Sequence, residues 1–299
     1  MKKILCLCFS PTLQRTINFE NLQLTKVNRS KNYICHASGK AVNSARVLNQ
    51  LQKGCSRLLC PLGEKNQELF INLAIKDQMD ISYVTIPGFT RECWTLLDRT
   101  KGTTTELVVN EPLPQDLNKI AGAEIKILKY INDSFDDIDA VLLSGSRPEI
   151  WSKDLYPTIA GMTHDAKKLF LADFTGQEMQ RTLKTVTPDI IKINEEEFTQ
   201  TFGTKSENLK EDIISKSQKL QNIIIVTRGE KSTFAAKAGS SLEIMSQKVS
   251  AINTIACGDT FNAGFLYEYL NSGDFKAALE KGVWCAARNA ESEIPGSIL

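Results

Sequence analysis

Short apolar runs alternate with longer segments of helical spacing along most of this chain. The runs fall at 3–9, 56–62, 139–143, 168–172, 189–193 and 222–226. The helical segments lie near 40–52, 66–78, 114–132, 152–166, 195–202 and 206–221. Runs such as Ala140-Val141-Leu142-Leu143 and Ile223-Ile224-Ile225-Val226 lack polar alternation, as parallel strands covered on both faces do. The pattern predicts an α/β fold with a doubly wound, mainly parallel sheet.

Two stretches, at about 14–36 and 88–110, break the alternation. They read as strands without intervening helices, for example Glu92–Asp98 and Thr103–Val109. Paired, they form one small sheet that serves as a lid, a dimerisation surface, or both. The expected organisation is a single domain over 1–299 with these lid strands inserted. Two amphipathic helices close the chain. Phe261, Phe265 and Tyr269 recur at i, i+4 in the first, and Ala278, Leu279, Val283 and Ala286 share one side of the second. An aromatic stripe at this spacing is expected in the core.

Charge and cysteine usage narrow the function classes. The 299 residues carry 36 basic and 35 acidic groups, a net charge of +1. No basic stripe appears, which argues against a nucleic-acid partner. The run Ile4–Phe9 behind Met1-Lys2-Lys3 imitates a signal peptide, but it is short and no small-x-small site follows. A buried first strand is the better reading. No apolar stretch approaches the ~20 residues of a membrane span, so a cytoplasmic protein with no membrane partner is expected. Eight cysteines without a C-x-x-C pair, and only His36 and His164 beside them, speak against a zinc site.

Candidate chemistry clusters where predicted strands and helices meet. In Asn253-Thr254-Ile255-Ala256-Cys257-Gly258-Asp259-Thr260-Phe261, small residues open a helix and an acid follows at once. Unpaired N–H groups at a helix start form an anion site, and the dipole favours an ionised aspartate there. Asp259 can accept a proton from a hydroxyl while the N–H groups hold a phosphoryl group. Spacing alone favours an acid that merely complements the dipole. Ala37–Asn43 also precedes a helix, but no Gly lies five residues before Gly39, so it is not a Walker A loop. No G-x-G-x-x-G follows a strand, which counts against a nicotinamide dehydrogenase. Leu143–Pro148, Lys192–Glu197 and Val226–Glu230 all fall at strand ends, where open α/β sheets bind ligands.

These motifs, in this order, resemble the ribokinase-like (PfkB) carbohydrate kinases from about residue 4 to residue 290, and most closely their phosphofructokinase and tagatose-6-phosphate kinase branch. Ser38-Gly39-Lys40-Ala41-Val42-Asn43 resembles G-G-K-G-x-N, Leu143-Ser144-Gly145-Ser146 matches L-S-G-S, and Lys192-Ile193-Asn194 with Glu197 matches K-P-N-x-x-E. Thr227-Arg228-Gly229 looks like the T-x-G nucleotide loop, and Ala256-Cys257-Gly258-Asp259 stands at the G-A-G-D position. The resemblance implies ATP and Mg²⁺ as cofactors and a sugar phosphate as acceptor. It implies Asp259 as base, with the backbone of Ala256, Cys257 and Gly258 as anion hole. Lys192, Asn194, Glu197, Thr227, Gly229 and Asn289 fall on the nucleotide side, Asn194 and Glu197 ordering the metal through water. Gln14, Gly39, Lys40, Asn43, Arg91, Ser144 and Arg147 fall on the acceptor side. Lys40 and Arg91 are the candidates for the acceptor's phosphate, and Asn43 for a sugar hydroxyl. A homodimer through the lid is compatible with exposed strand edges.

Departures concentrate in the acceptor pocket. Gln14 stands where relatives carry an acid, and Ser38, Ala41 and Ala256 each replace a Gly. Ala256 keeps its N–H, but its methyl group penalises any positive φ. Arg147-Pro148-Glu149 replaces L-P-P-G and is expected to bring a positive charge near the substrate. The expected activity is ATP-dependent phosphorylation of a ketohexose phosphate: fructose 1-phosphate, fructose 6-phosphate or tagatose 6-phosphate. The alternatives are a kinase of an unphosphorylated sugar or nucleoside, and a non-catalytic sensor on the same fold.

Overall fold

Strand β1 (Ile4–Leu7) is buried along its whole length, and its side chains divide between two cores. Ile4 and Cys6 enter one cluster, Leu5 and Leu7 the other. A strand imposes this period of two, and here apolar residues meet it on both faces. The computed structural model describes residues 1–31, 33–110, 116–204 and 206–299. Along it follow β2 (Thr12–Phe19), β3 (Tyr33–Ser38), α1 (Lys40–Leu51), β4 (Ser56–Gly63), α2 (Gln67–Lys76), β5 (Ile81–Ile86), β6 (Arg91–Asp98) and β7 (Thr103–Val108). Next come α3 (Leu117–Ser134), β8 (Ala140–Ser144), α4 (Leu155–Asp165), β9 (Leu169–Asp173), α5 (Gly176–Thr185), β10 (Ile190–Asn194) and α6 (Glu195–Phe202). The chain ends with α7 (Leu209–Leu220), β11 (Ile223–Thr227), β12 (Ser232–Lys237), β13 (Ser240–Met245), α8 (Cys257–Ser272) and α9 (Phe275–Ala290).

The large sheet has nine strands in the order β13-β12-β11-β10-β9-β8-β1-β4-β5. Neighbours from β11 to β5 are parallel, and β12 and β13 add an antiparallel edge. Side chains of α1, α2, α8 and α9 fill the core on one face, and those of α3 to α7 fill the other. The predicted doubly wound α/β architecture is observed. Phe261 and Phe265 are buried in the first core, their ring centroids 6.2 Å apart. Gly264 lets α8 and α9 touch, because a Cβ there would lie 2.6 Å from Cys285 Sγ and 2.7 Å from the Lys281 carbonyl.

The two irregular stretches form a separate four-stranded sheet, β3-β2-β6-β7. Its outer pairs are antiparallel and its central pair, β2 with β6, is parallel. Positions 32, 114 and 115, inside the expected lid and helix ranges, lie outside the described residues.

The apolar pattern missed β5, α5, β12 and β13. Three of these strands lie at or beside the edges of the large sheet. Their exposed positions and small residues, as in Ser240-Ser241 and Ala235-Ala236, dilute the continuous signal of central strands. Helix α5 buries only Met179 and Thr182. Among the described residues no helix is long and apolar enough to cross a membrane.

The carboxyl ends of β8, β9, β10 and β11 deliver Ser144, Asp173, Asn194 and Thr227 to one edge of the sheet. The start of α8 faces that edge.

Candidate active site

Helix α8 opens on Ala256, which sits in the left-handed region at φ 67. A non-glycine residue there costs roughly 1 kcal/mol, which is the penalty the sequence anticipated for this Gly replacement. The turn leaves the N–H groups of Gly258 and Asp259 at the helix start without a backbone or side-chain acceptor among the described residues. They form the donor pair expected of an anion site. Gly258 also makes room for Lys192, since a Cβ would lie 2.7 Å from its Nζ.

Asp259 follows in the first turn and is buried, with 7% of its surface exposed. Its Oδ2 accepts from Asn43 Nδ2 at 2.9 Å, and its backbone carbonyl accepts from Ser44 Oγ at 2.8 Å. Burial pushes the carboxyl up to about 7, and the nearby Asp173 carboxylate adds to the rise. Lys40, Asn43 and Lys192 oppose it. A carboxylate poised near neutrality suits a general base.

Asp173, which the sequence reading overlooked, joins the cluster together. It is fully buried at the end of β9, and its Oδ2 accepts from Ser144 Oγ at 2.8 Å and Asn262 Nδ2 at 2.7 Å. Lys40 Nζ lies 3.7 Å from its Oδ1 and Lys192 Nζ 3.9 Å from its Oδ2. Burial alone would raise the Asp173 pKa. The two ammonium groups and the two hydrogen bonds overcome this and hold it below the ordinary value. Lys40 is held above its own ordinary range by Asp173 first and then by Glu197 and Asp259, so it stays charged.

Asn194 and Glu197 form a reciprocal capping box at the start of α6. Each backbone N–H donates to the other's side chain at 2.8 Å. Glu197 Oε1 lies 3.6 Å from Lys40 Nζ. No group of three or more His, Cys, Asp or Glu residues able to hold a metal occurs among the described residues. One carboxylate, Glu197, with the Asn194 amide beside it is a donor set that would suit an Mg²⁺ ion held through water. Beside the box, β11 ends on Thr227, and Gly229 turns the chain at φ 60.

Among the residues expected on the acceptor side, Gly39 caps α1 at φ 128, where a Cβ would lie 2.7 Å from Cys8 Sγ. Arg91 opens β6 and lines a small hollow with Phe9, Pro11 and Thr90, its Nη2 donating to the Ser10 carbonyl at 3.5 Å. Gln14 is buried and gives its amide N–H to Thr95 Oγ1 at 2.7 Å.

Three of the expected site residues are engaged by protein groups. Arg147 was expected to bring charge to the substrate, but its guanidinium donates to Glu178 Oε1 at 3.0 Å and to the carbonyls of Pro148 and Trp151. Glu178 comes from α5, the helix that the apolar pattern missed. Ser144, expected on the acceptor side, donates its hydroxyl to Asp173 Oδ2. Asn289, expected at the nucleotide, is fully buried behind the α8 turn. It donates to the Ile255 carbonyl at 2.8 Å and accepts from the N–H of Gly296 at 2.7 Å.

Comparison with known proteins agrees with this fold. A possible 1-phosphofructokinase from Thermotoga maritima superposes with a TM-score of 0.87 at 17% identity, over 98% of this chain and 93% of that one. Phosphofructokinase-2 from Escherichia coli in complex with fructose-6-phosphate gives 0.84 at 14% identity, over 97% and 94%. The tetrameric inhibited form of the same enzyme gives 0.82 at 15% identity, over 97% and 94%. At such identities the likeness concerns the fold. The family model for pfkB family carbohydrate kinases matches residues 5–297, nearly the whole chain. The chain belongs to the pfkB family of carbohydrate kinases.

Proposed function

We propose that this chain transfers the γ-phosphoryl group of ATP to a hydroxyl of a ketohexose phosphate, with Asp259 as general base. The observation that carries the reading is a carboxylate buried in the first turn of a helix whose leading N–H groups have no acceptor among the described residues. The hydroxyl oxygen attacks the γ-phosphorus as its proton passes to Asp259 Oδ, and the bond to the ADP oxygen breaks. The N–H groups of Gly258 and Asp259 stabilise the charge on the transferring group. Lys40 and Lys192, both gathered by Asp173, add positive charge at the same edge. Asn194 and Glu197 would hold Mg²⁺ through water, and the ion would supply charge neutralisation on the phosphates. Arg91 takes the acceptor's own phosphate.

Several of the solved structures whose folds match are phosphofructokinases, which supports a ketohexose phosphate as acceptor, though a putative ribokinase matches as well. The direct test is ADP release from Mg-ATP across free sugars and sugar phosphates, with Asp259→Asn as control. Turnover on one ketohexose phosphate, abolished by the substitution, is expected. Melting-temperature shifts with sugar phosphate but no turnover on any acceptor would instead identify a sensor.

The small sheet serves as lid over the acceptor in this reading, and its outer face offers a homodimer contact. There Arg15 stacks between Tyr33 and Trp94, at 5.5 and 5.7 Å, beside the exposed Leu107. Trp94→Asp is expected to yield monomers in sedimentation. A wild-type chain that sediments as a monomer rules the contact out.

A further inference from the structure

Asn43 presents one particular face of its amide to Asp259. Its Oδ1 accepts from Ser38 Oγ at 2.9 Å and Arg46 Nη1 at 3.2 Å, while its Nδ2 donates to Asp259. A hydroxyl donates or accepts, so Ser38 tolerates either face of the amide. A guanidinium only donates, so Arg46 tolerates only the oxygen. The flipped amide would point its oxygen at Asp259, a partner suited to the protonated acid alone. By excluding that flip, Arg46 favours the ionised form.

Arg46 is itself fixed from three directions. It is buried, with 3% of its surface exposed. Nε donates to Asp77 Oδ2 at 2.8 Å, Nη1 also donates to the Pro295 carbonyl at 3.0 Å, and Nη2 donates to the Ala37 carbonyl. These partners come from the end of α2, from β3 and from the C-terminal segment. Gly296 packs so closely, at φ 71, that a Cβ would lie 2.7 Å from Asn43 Cβ and 3.0 Å from Arg46 Nη1. Its N–H is in turn held by Asn289. The segment Pro295–Ser297 thus braces the pair from behind.

We infer that Arg46 is a positioning residue, acting through Asn43 to present an N–H to Asp259, and that the C-terminal segment holds it in that role. The geometry stands by itself; its catalytic consequence rests on the reading of Asp259 as base. The other charged or titratable groups that face Asp259 are Lys40 from α1, Asp173 from β9, Lys192 from β10 and Cys257 from its own helix. Changing Arg46 leaves all four in place.

The test is a ¹³C-carboxyl NMR titration of Asp259 in the full chain, the signal assigned by its loss in Asp259→Asn. Asn43→Ala is expected to move the midpoint upward by roughly one unit, the scale of a hydrogen bond lost from a charged form. Arg46→Lys keeps the positive charge but not the planar fork. It should shift the midpoint in the same direction, and should add nothing in the Asn43→Ala background. A folded Arg46→Lys chain with the wild-type midpoint would overturn the inference, as would a shift that persists undiminished without Asn43. If Arg46→Lys does not fold, Gly296→Ala disturbs the same contact from the tail. It must give the same upward shift, dependent on Asn43, or the inference fails. Turnover is read separately: Arg46→Lys lowers kcat with KM little changed. A wild-type chain inactive on every acceptor overturns the proposed function, yet the titration still decides the role of Arg46.

Discussion

The side-chain amide of Asn43 donates to Oδ2 of Asp259 at 2.9 Å, joining two residues 216 positions apart in the chain. The contact ties the first turn of α1 to the first turn of α8, and Ser44 repeats it one residue on by donating to the Asp259 carbonyl. A buried carboxylate is costly unless hydrogen bonds and cations compensate it. The compensation here is incomplete, and the residue stays titratable near neutral pH.

That incomplete compensation gives Asp259→Asn two opposite effects. Turnover should fall by about 10²–10⁴-fold, the usual worth of a general base. Stability should rise. The Asp259 pKa moves from 3.8 to about 7 on folding, so between those values the folded chain binds more protons than the unfolded one. Wild-type stability therefore falls as pH climbs through this window and stays low above it. Thermal melts at pH 8 should find Asp259→Asn more stable by roughly 2–4 kcal/mol, and the difference should vanish near pH 4. A variant less stable than wild type at pH 8 would contradict the burial argument.

Asp173 offers the reverse experiment. Its carboxylate raises the Asp259 pKa, while its own charge is balanced by Lys192 and Lys40. Asp173→Asn should lower the midpoint of the acid limb of kcat/KM below that of wild type. Removing one member of the buried pair with Lys192 should also cost about 3–5 kcal/mol of stability. An unchanged midpoint in the folded variant would remove Asp173 from the electrostatics of the site.

Arg91→Ala separates the two substrates. If Arg91 binds the acceptor's phosphate, KM for the sugar phosphate should rise roughly 10–100-fold, as for a lost charge-assisted bond. KM for ATP should hardly move. Equal rises in both constants would place Arg91 outside the acceptor site.

The sequence revealed the sheet and the helix start at Asp259 because both signals are local. Central strands such as Ile223–Thr227 are continuous apolar runs, and the small residues before Asp259 announce a tight helix entry. Asp173 was silent for the opposite reason. It is a lone acid after Leu169-Phe170-Leu171-Ala172, and its meaning comes from Lys40, Lys192, Ser144 and Asn262, which four other elements supply. Arg46 was silent because an arginine within an amphipathic helix reads as surface, and only the fold shows that three elements close over it. The charge of Arg147 was visible in the sequence, and its partner Glu178, on a helix without a strong apolar pattern, was not.

The most direct measurement of the central claim is kcat/KM against pH for the acceptor that gives turnover with Mg-ATP. The account predicts a plateau at alkaline pH and a tenfold fall per unit below a midpoint near 7, the signature of one group of the free enzyme that must be ionised. A kcat/KM that stays level from pH 8 down to pH 5 would contradict the assignment of Asp259 as the base.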